Sequence, residues 1–200
     1  MTSPRPALLC LTRHGETDWN QQGILQGWTD VLLNQLGRHQ ARGMARRFNH
    51  QGFSAVWSSP LMRARETAEI VAPLIRLPFP KYHDDLMERH FGIFQGIPKA
   101  ELAECNPVVL KSILKRDPAG DFDGGESMDE FADRVLGALS DIGSAHGGQK
   151  VLVITHGWVM DVVTRHINGL PRMAILNMKR KNGESLWVAV DKDIITATLG

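Results

Sequence analysis

The sequence predicts an α/β sandwich of three layers, with helices on both faces of a central, mostly parallel sheet. Two observations predict it directly. Apolar runs of strand length alternate along the chain with amphipathic stretches of helical period. One of those runs, Val151-Leu152-Val153-Ile154, is apolar at every position, the pattern of a strand covered on both faces. A third observation concerns placement: three strand ends lead straight into residues with chemistry, and ligands bind at the carboxyl ends of strands in open α/β sheets.

The elements follow in order. Strand one covers about Ala7–Thr12, after an arm of residues 1–6 that holds two prolines and is read as loose. A Gln- and Gly-containing loop runs from Asn20 to Asp30. Ala41, Met44, Ala45 and Phe48 then mark an i, i+3, i+4, i+7 helical stripe, with Asn34 as its N-cap. A short strand, Ala55–Trp57, enters Ser58-Ser59-Pro60. There Ser59 is expected to cap, and Pro60 to open, a helix over about Leu61–Ile75. The stretch 92–125 is irregular, with short helices expected between Pro98 and Arg116 and a turn at Asp121–Gly125; it reads as a cover over a site. Ser127 and Glu130 form a capping box for a helix whose apolar face is Phe131, Val135, Ala138, Leu139 and Ile142. After Val151–Ile154 comes Thr155-His156-Gly157 and a helix to about Ile167. Leu186–Val190 and Ile194–Leu199 close the chain as strands around Asp191-Lys192-Asp193. With no repeat and no linker, residues 1–200 read as one domain.

Composition narrows the function. Hydrophobic residues make up 42% and charged residues 22% of 200, ordinary for a soluble globular chain. A net charge of +1 gives no support to a nucleic-acid groove or a membrane patch. The two cysteines, Cys10 and Cys105, have no metal-type spacing, and Cys10 is expected to be a buried thiol. Together with the shortness of the first apolar run, this points to a cytoplasmic protein. The oligomeric state is left as monomer or homodimer.

The loaded strand ends are Arg13-His14, the Ser58–Arg63 turn and His156. An imidazole can attack phosphorus, and a guanidinium grips phosphate oxygens with two prongs. Gly15 adds no side chain that would block an oxyanion. Phosphoryl transfer to histidine needs a neutral nucleophile, cations around the transferring group, and an acid that later serves as base. His14 is the candidate nucleophile, kept neutral by positive neighbours. Arg13, Arg63 and His156 are the candidate phosphate clamp. Glu88 is the candidate acid and base, its ionised form expected to be favoured by nearby arginines. No metal or other cofactor is called for.

These residues resemble the histidine phosphatase superfamily, whose members include cofactor-dependent phosphoglycerate mutases. The opening motif matches Arg13-His14-Gly15-Glu16-Thr17. A Ser-Pro-x-x-Arg-Ala-x-x-Thr-Ala segment matches Ser59 to Ala68, Leu-x-Glu-x-x-Phe-Gly matches Leu86 to Gly92, and His-Gly after a buried strand matches His156-Gly157. The resemblance spans roughly residues 7–167. It implies that Asn20 lies near the phosphate, with Gln26-Gly27 close by, and that Glu126-Ser127 border the site. Gln95-Gly96 and Trp158 depart from the family's commoner residues; with Gln26 and Gly27, Trp158 is a candidate substrate-binding position.

Plainer readings apply elsewhere. His39, His50, His83, His90, His146 and His166 are expected at the surface, with His90 near the mouth. Arg65 and Arg89 are expected on the surface or in ion pairs, and Trp28 and Phe94 in packing. Asp121–Gly125 lacks the ligand ladder of a calcium loop. The favoured reading is metal-independent hydrolysis of a small phosphorylated metabolite through a phosphohistidine on His14. One alternative is a 2,3-bisphosphoglycerate-dependent mutase, disfavoured because Arg89, Lys99, Lys111, Lys115 and Arg116 are read as too scattered to form one group. The other is a catalytically silent binder of a phosphorylated ligand.

Overall fold

The computed structural model describes residues 5–176 and 178–198. Its elements run β1 (Ala7–Arg13), α1 (Asp18–Gln22), α2 (Gln35–Phe48), β2 (Ala55–Ser58), α3 (Met62–Leu74) and β3 (Lys81–Tyr82). Two short 3-10 turns follow, Asp84–Leu86 and Gly92–Phe94, then α4 (Lys99–Cys105) and α5 (Pro107–Lys115). The chain ends with α6 (Met128–Ala145), β4 (Lys150–Thr155), α7 (Gly157–Ile167), β5 (Ser185–Asp191) and β6 (Ile194–Ala197).

The strands form one sheet in the order β3-β2-β4-β1-β5-β6. The first four are mutually parallel, and β5 and β6 continue the sheet antiparallel. Alternation along the buried strands feeds two cores. Leu9, Leu11, Val151 and Val153 meet Phe131, Val135 and Leu139 of α6 and Val159 and Val163 of α7. On the opposite face Cys10, Leu152, Ile154 and Val56 meet Ala41, Met44 and Phe48 of α2 and Ala64, Ala68 and Val71 of α3. Each Val, Leu, Ile, Phe or Met among these contributes about 1.5–3 kcal/mol on burial. The three layers therefore follow from the apolar pattern. Register then aligns the strand ends: Arg13 lies opposite Thr155, and Ser58 opposite Ile154. The segments after β1, β2 and β4 emerge side by side at one edge.

Local signals are borne out at α2, where Asn34 Oδ1 accepts from the Gly37 amide at 2.8 Å, and at α6, where the Ser127–Glu130 capping box is complete. The start of α3 differs. The helix begins at Met62, and Leu61, not Ser59, holds the cap position without a side-chain bond. Asp30 Oδ1 takes the Met62 amide, at 2.9 Å, while Ser59 Oγ reaches only the Leu61 amide, at 3.3 Å, and lies 2.8 Å from His156 Nε2.

Two surface expectations are corrected. His146 is buried: its Nε2 accepts from Trp57 Nε1 at 3.0 Å and its Nδ1 lies 2.8 Å from Gln149 Oε1. Arg89 is buried and, among the described residues, forms no ion pair. It donates to the carbonyls of Pro118, Gly120 and Glu126 and so ties down the end of the 92–125 stretch. His39, His50 and His166 are exposed, while His83 and His90 are half-buried. Cys10 is buried and Cys105 exposed, both as free thiols. In the expected arm, Arg5 and Pro6 are exposed without regular structure, and residues 1–4 lie outside the described residues, as does Leu199 of the expected last strand. Among the described residues no helix is long and apolar enough to cross a membrane.

Candidate active site

A cavity of about 340 Å³ opens at the edge where the three parallel strands end. Its wall includes Arg13, His14, Asn20, Gln26, Gly27, Arg63, Glu88 and Trp158. His156 is fully buried beside them, its ring centroid 5.2 Å from that of His14. The sequence-predicted residues thus converge although they come from five separate segments.

The His14 backbone extends β1, its amide donating to the Thr155 carbonyl at 3.0 Å. Its ring Nδ1 lies 2.6 Å from the Gly15 carbonyl oxygen. A carbonyl only accepts, so Nδ1 carries the proton and Nε2 keeps its lone pair. That lone pair receives Arg63 Nε at 3.3 Å. Burial above all, with Arg63 and Arg13 adding repulsion, holds the ring's pKa well below the usual imidazole range. Gly15 also has a packing reason to be glycine: a Cβ there would stand 2.5 Å from the Gly37 carbonyl, where α2 presses on the loop.

Arg63 is fixed on all sides. Its Nη1 and Nη2 donate to the carbonyls of Thr29 at 3.0 Å and Gly27 at 2.7 Å. Gly27 therefore acts through its backbone, in a left-handed turn (φ 51) against which the Gln95 side chain packs. Gln95 Oε1 accepts from the Trp28 amide at 2.7 Å, so the departure at this position braces the loop from behind. Gln26 accepts from the Thr17 hydroxyl at 3.0 Å, and Asn20 Oδ1 accepts from the Thr17 amide at 3.2 Å, while Asn20 Nδ2 has no partner among the described residues. Arg13 donates from Nη1 to the Arg180 carbonyl at 2.5 Å, while its Nε is buried without a partner. Burial lowers Arg13 and Arg63 to about 10, still cationic at neutral pH.

Glu88 is held at the start of α7, its Oε1 taking the Arg89 amide at 3.1 Å and its Oε2 3.5 Å from the Trp158 amide. The carbonyl of Glu88 is gripped by Trp28 Nε1 at 2.6 Å and Arg134 Nη2 at 2.9 Å. Nearby arginines favour its ionised form, as expected, but they do not set the outcome. Burial outweighs the pull of Arg116, Arg63 and Arg13, and the carboxyl titrates above its ordinary value. Glu126 and Ser127 do not line the cavity. Glu126 pairs with Arg134 at 2.6 Å and accepts from the His90 amide at 2.8 Å, and so acts one layer behind Glu88. His90 likewise stands behind the wall, edge-on to Trp28.

Residues not anticipated complete the wall. Lys99, Arg116, Lys179, Arg180 and Asn182 all line the cavity, so Lys99 and Arg116 are not scattered; Arg89, Lys111 and Lys115 stay away from it. Arg116 stacks over Trp158 at 4.8 Å and is paired through Nε with the fully buried Asp161. The other oxygen of Asp161 takes Arg180 Nε at 3.1 Å. One signal for this hub was available: Asp161 is the single charged residue in Trp158–Val163, a stretch otherwise apolar, and a buried carboxylate requires cations. Arg180 and Asn182 lie in an aperiodic loop with no such signal. Asn182 Nδ2 donates to the His14 carbonyl at 2.9 Å. Among the described residues, no group of three or more His, Cys, Asp or Glu is placed to hold a metal ion.

The sequence model of the histidine phosphatase superfamily (branch 1) matches residues 9–198. The chain belongs to the histidine phosphatase superfamily. This histidine phosphatase is 35% identical over 161 residues, 80% of its length and 77% of the relative's, to the uncharacterized phosphatase PhoE of Bacillus subtilis (strain 168). It is 40% identical over 156 residues, 77% of its length and 68% of the relative's, to phosphoglycerate mutase-like protein 4 of Arabidopsis thaliana. The solved structure of Bacillus stearothermophilus YhfR superposes with a TM-score of 0.86 over 96% of each chain, at 29% identity. The names of the relatives divide between phosphatase and mutase-like, so the choice between hydrolysis and transfer rests on the site.

Proposed function

We propose that this histidine phosphatase is a metal-independent phosphomonoesterase that hydrolyses a small phosphorylated metabolite through a phosphohistidine on His14. One observation carries the reading. His14 Nε2 is kept unprotonated by the Nδ1–Gly15 bond and by burial, its lone pair met only by Arg63 Nε, in a cavity that also holds Arg13 and a carboxyl with a raised pKa.

In the first step the His14 Nε2 lone pair forms a bond to phosphorus as the P–O bond to the leaving group breaks. Arg13, Arg63 and His156 stabilise charge on the equatorial oxygens, where it accumulates. Protonated Glu88 donates its proton to the departing alkoxide, and the bound phosphate dianion favours that protonated form further. In the second step the Glu88 carboxylate removes a proton from water as the water oxygen bonds to phosphorus. The P–N bond breaks, and His14 and inorganic phosphate are released. Asn20 adds a neutral donor at the phosphate, and Gln26, Gly27 and Trp158 bound the space for the rest of the substrate.

A second reading, a 2,3-bisphosphoglycerate-dependent phosphoglycerate mutase, is favoured by one feature. Lys99, Arg116 and Lys179 line the same cavity and offer a second anionic group somewhere to bind. The deciding experiment is turnover of a panel of phosphate esters, one of them a chromogenic aryl phosphate, by wild type and His14→Ala with a chelator present. Release of phosphate that survives chelation and disappears in His14→Ala is the expected result. No release from any ester, but interconversion of phosphoglycerates once 2,3-bisphosphoglycerate is added, would establish the mutase instead.

A further inference from the structure

We infer that Ser59 is a positioning residue that fixes the tautomer of His156, so that this second histidine presents Nδ1–H to the phosphate while His14 presents a lone pair. The number of hydrogen-bonding groups around the two residues selects the tautomer. Ser59 is fully buried at the end of β2, and its amide continues the ladder to the Ile154 carbonyl at 3.0 Å. Its Oγ accepts the Leu61 amide at 3.3 Å and lies 2.8 Å from His156 Nε2. His156 is fully buried as well, and its Nδ1 has no partner among the described residues.

A serine hydroxyl has one proton to give, and a neutral imidazole has one N–H and one lone pair. Consider His156 with its proton on Nε2. The ring would then donate to Ser59 Oγ, the serine proton would find no acceptor among its neighbours, and Nδ1 would be a second unmatched group, a bare lone pair. Consider instead the proton on Nδ1. Ser59 then donates to Nε2 while accepting from Leu61, so every polar group of the serine is matched, and Nδ1–H is the ring's single uncommitted group. Buried polar groups are matched wherever possible, which selects the second arrangement. Burial and the nearby Arg63, His14 and Arg13 also disfavour the doubly protonated ring.

The consequence is a division of labour between two rings 5.2 Å apart. Both are Nδ1–H tautomers, but they are held from opposite sides. The Gly15 carbonyl occupies Nδ1–H of His14 and frees its Nε2 lone pair. The Ser59 hydroxyl occupies Nε2 of His156 and frees its Nδ1–H, a neutral donor suited to a phosphoryl oxygen. The opposite tautomer would turn a lone pair toward an anion and repel it. Ser59 therefore gives its hydroxyl proton to His156 while a lone pair of the same oxygen takes the Leu61 amide just ahead of α3. What the freed Nδ1–H is for rests on the phosphatase reading; the tautomer itself does not.

The test separates the two. Nitrogen-15 NMR of the histidine side chains in the full-length protein, with the His156 signals assigned by their loss in His156→Asn, reports which ring nitrogen carries the proton. The expected result is a neutral ring protonated on Nδ1. A ring protonated on Nε2 overturns the inference, whether or not the protein hydrolyses esters, and this measurement needs no variant at position 59. In Ser59→Ala the Nδ1–H preference is expected to weaken and kcat/KM to fall by roughly 10- to 100-fold, by analogy with the loss of the outer partner that orients a metal-bound imidazole. A folded Ser59→Ala protein with the wild-type tautomer and wild-type kcat/KM overturns the role given to Ser59.

Discussion

At the scale of single residues, Glu88 couples the proposed acid role to stability. Folding raises its pKa, so the native state keeps the proton to a higher pH than the unfolded chain does. Below the unfolded value near 4.5 the buried group is neutral in both states and carries no penalty. As pH rises through the folded pKa, the native state must hold a buried carboxylate and stability is lost. Glu88→Gln removes that penalty and is expected to melt at a higher temperature than wild type at about pH 7, the gap closing toward about pH 4. Melting curves at the two pH values check this, and a gap that is unchanged between them contradicts it. The same variant tests the proposed acid. Its rate loss is expected to be modest with an aryl phosphate, whose leaving group needs little protonation, and severe with an alkyl phosphate. Equal losses with both esters would remove Glu88 from that role.

At the scale of elements, the start of α6 separates a structural from a site role. Ser127 and Glu130 bond reciprocally, the Glu130 amide to Ser127 Oγ at 3.2 Å and the Ser127 amide to Glu130 Oε2 at 3.0 Å. Neither residue lines the cavity. Ser127→Ala is therefore expected to lower the unfolding free energy by about 1 kcal/mol and to leave kcat/KM unchanged. Denaturant titration and steady-state kinetics on the same sample decide it, and a drop in kcat/KM without a change in stability would place Ser127 in the site after all. The start of α3 shows the opposite outcome. There Ser59 Oγ reaches only the Leu61 amide, and a distant aspartate, Asp30, supplies the cap.

At the scale of the whole molecule, Asp161 joins three segments that are far apart in sequence. It lies on α7 and takes Arg116 from the end of α5 and Arg180 from the loop before β5, and Arg180 in turn holds Arg13 through its carbonyl. Removing one partner of a buried ion pair strands the others in a low dielectric, at a cost of about 3–5 kcal/mol. Asp161→Ala is expected to lose stability of that order in urea unfolding, far more than the capping variant. A loss below about 1 kcal/mol, the range of an exposed pair, would mean that water replaces the carboxylate and that the hub is not buried in solution.

Much of this protein was determined by its sequence. The two-sided apolar pattern of β4, with the apolar run of β1, dictated a sheet covered on both faces, because such strands are stable only when both faces are shielded from water. Motifs at the ends of β1, β2 and β4 named His14, Arg13, Arg63 and His156, because parallel strands carry their carboxyl ends to a common edge. Local caps at α2 and α6 were legible because they involve neighbours three residues apart. Other features were decided only by tertiary structure. Whether Glu88 is ionised depends on a balance between burial and three arginines from different segments, and no short motif encodes a balance. Arg89 and His146 look like surface residues in the sequence because a side chain's burial is set by what folds over it. Gly15 meets Gly37, Ser59 meets His156, and Asp161 meets Arg116 and Arg180 only once the chain has closed on itself. Spacing along the chain carries no information about distances between segments that are brought together by packing.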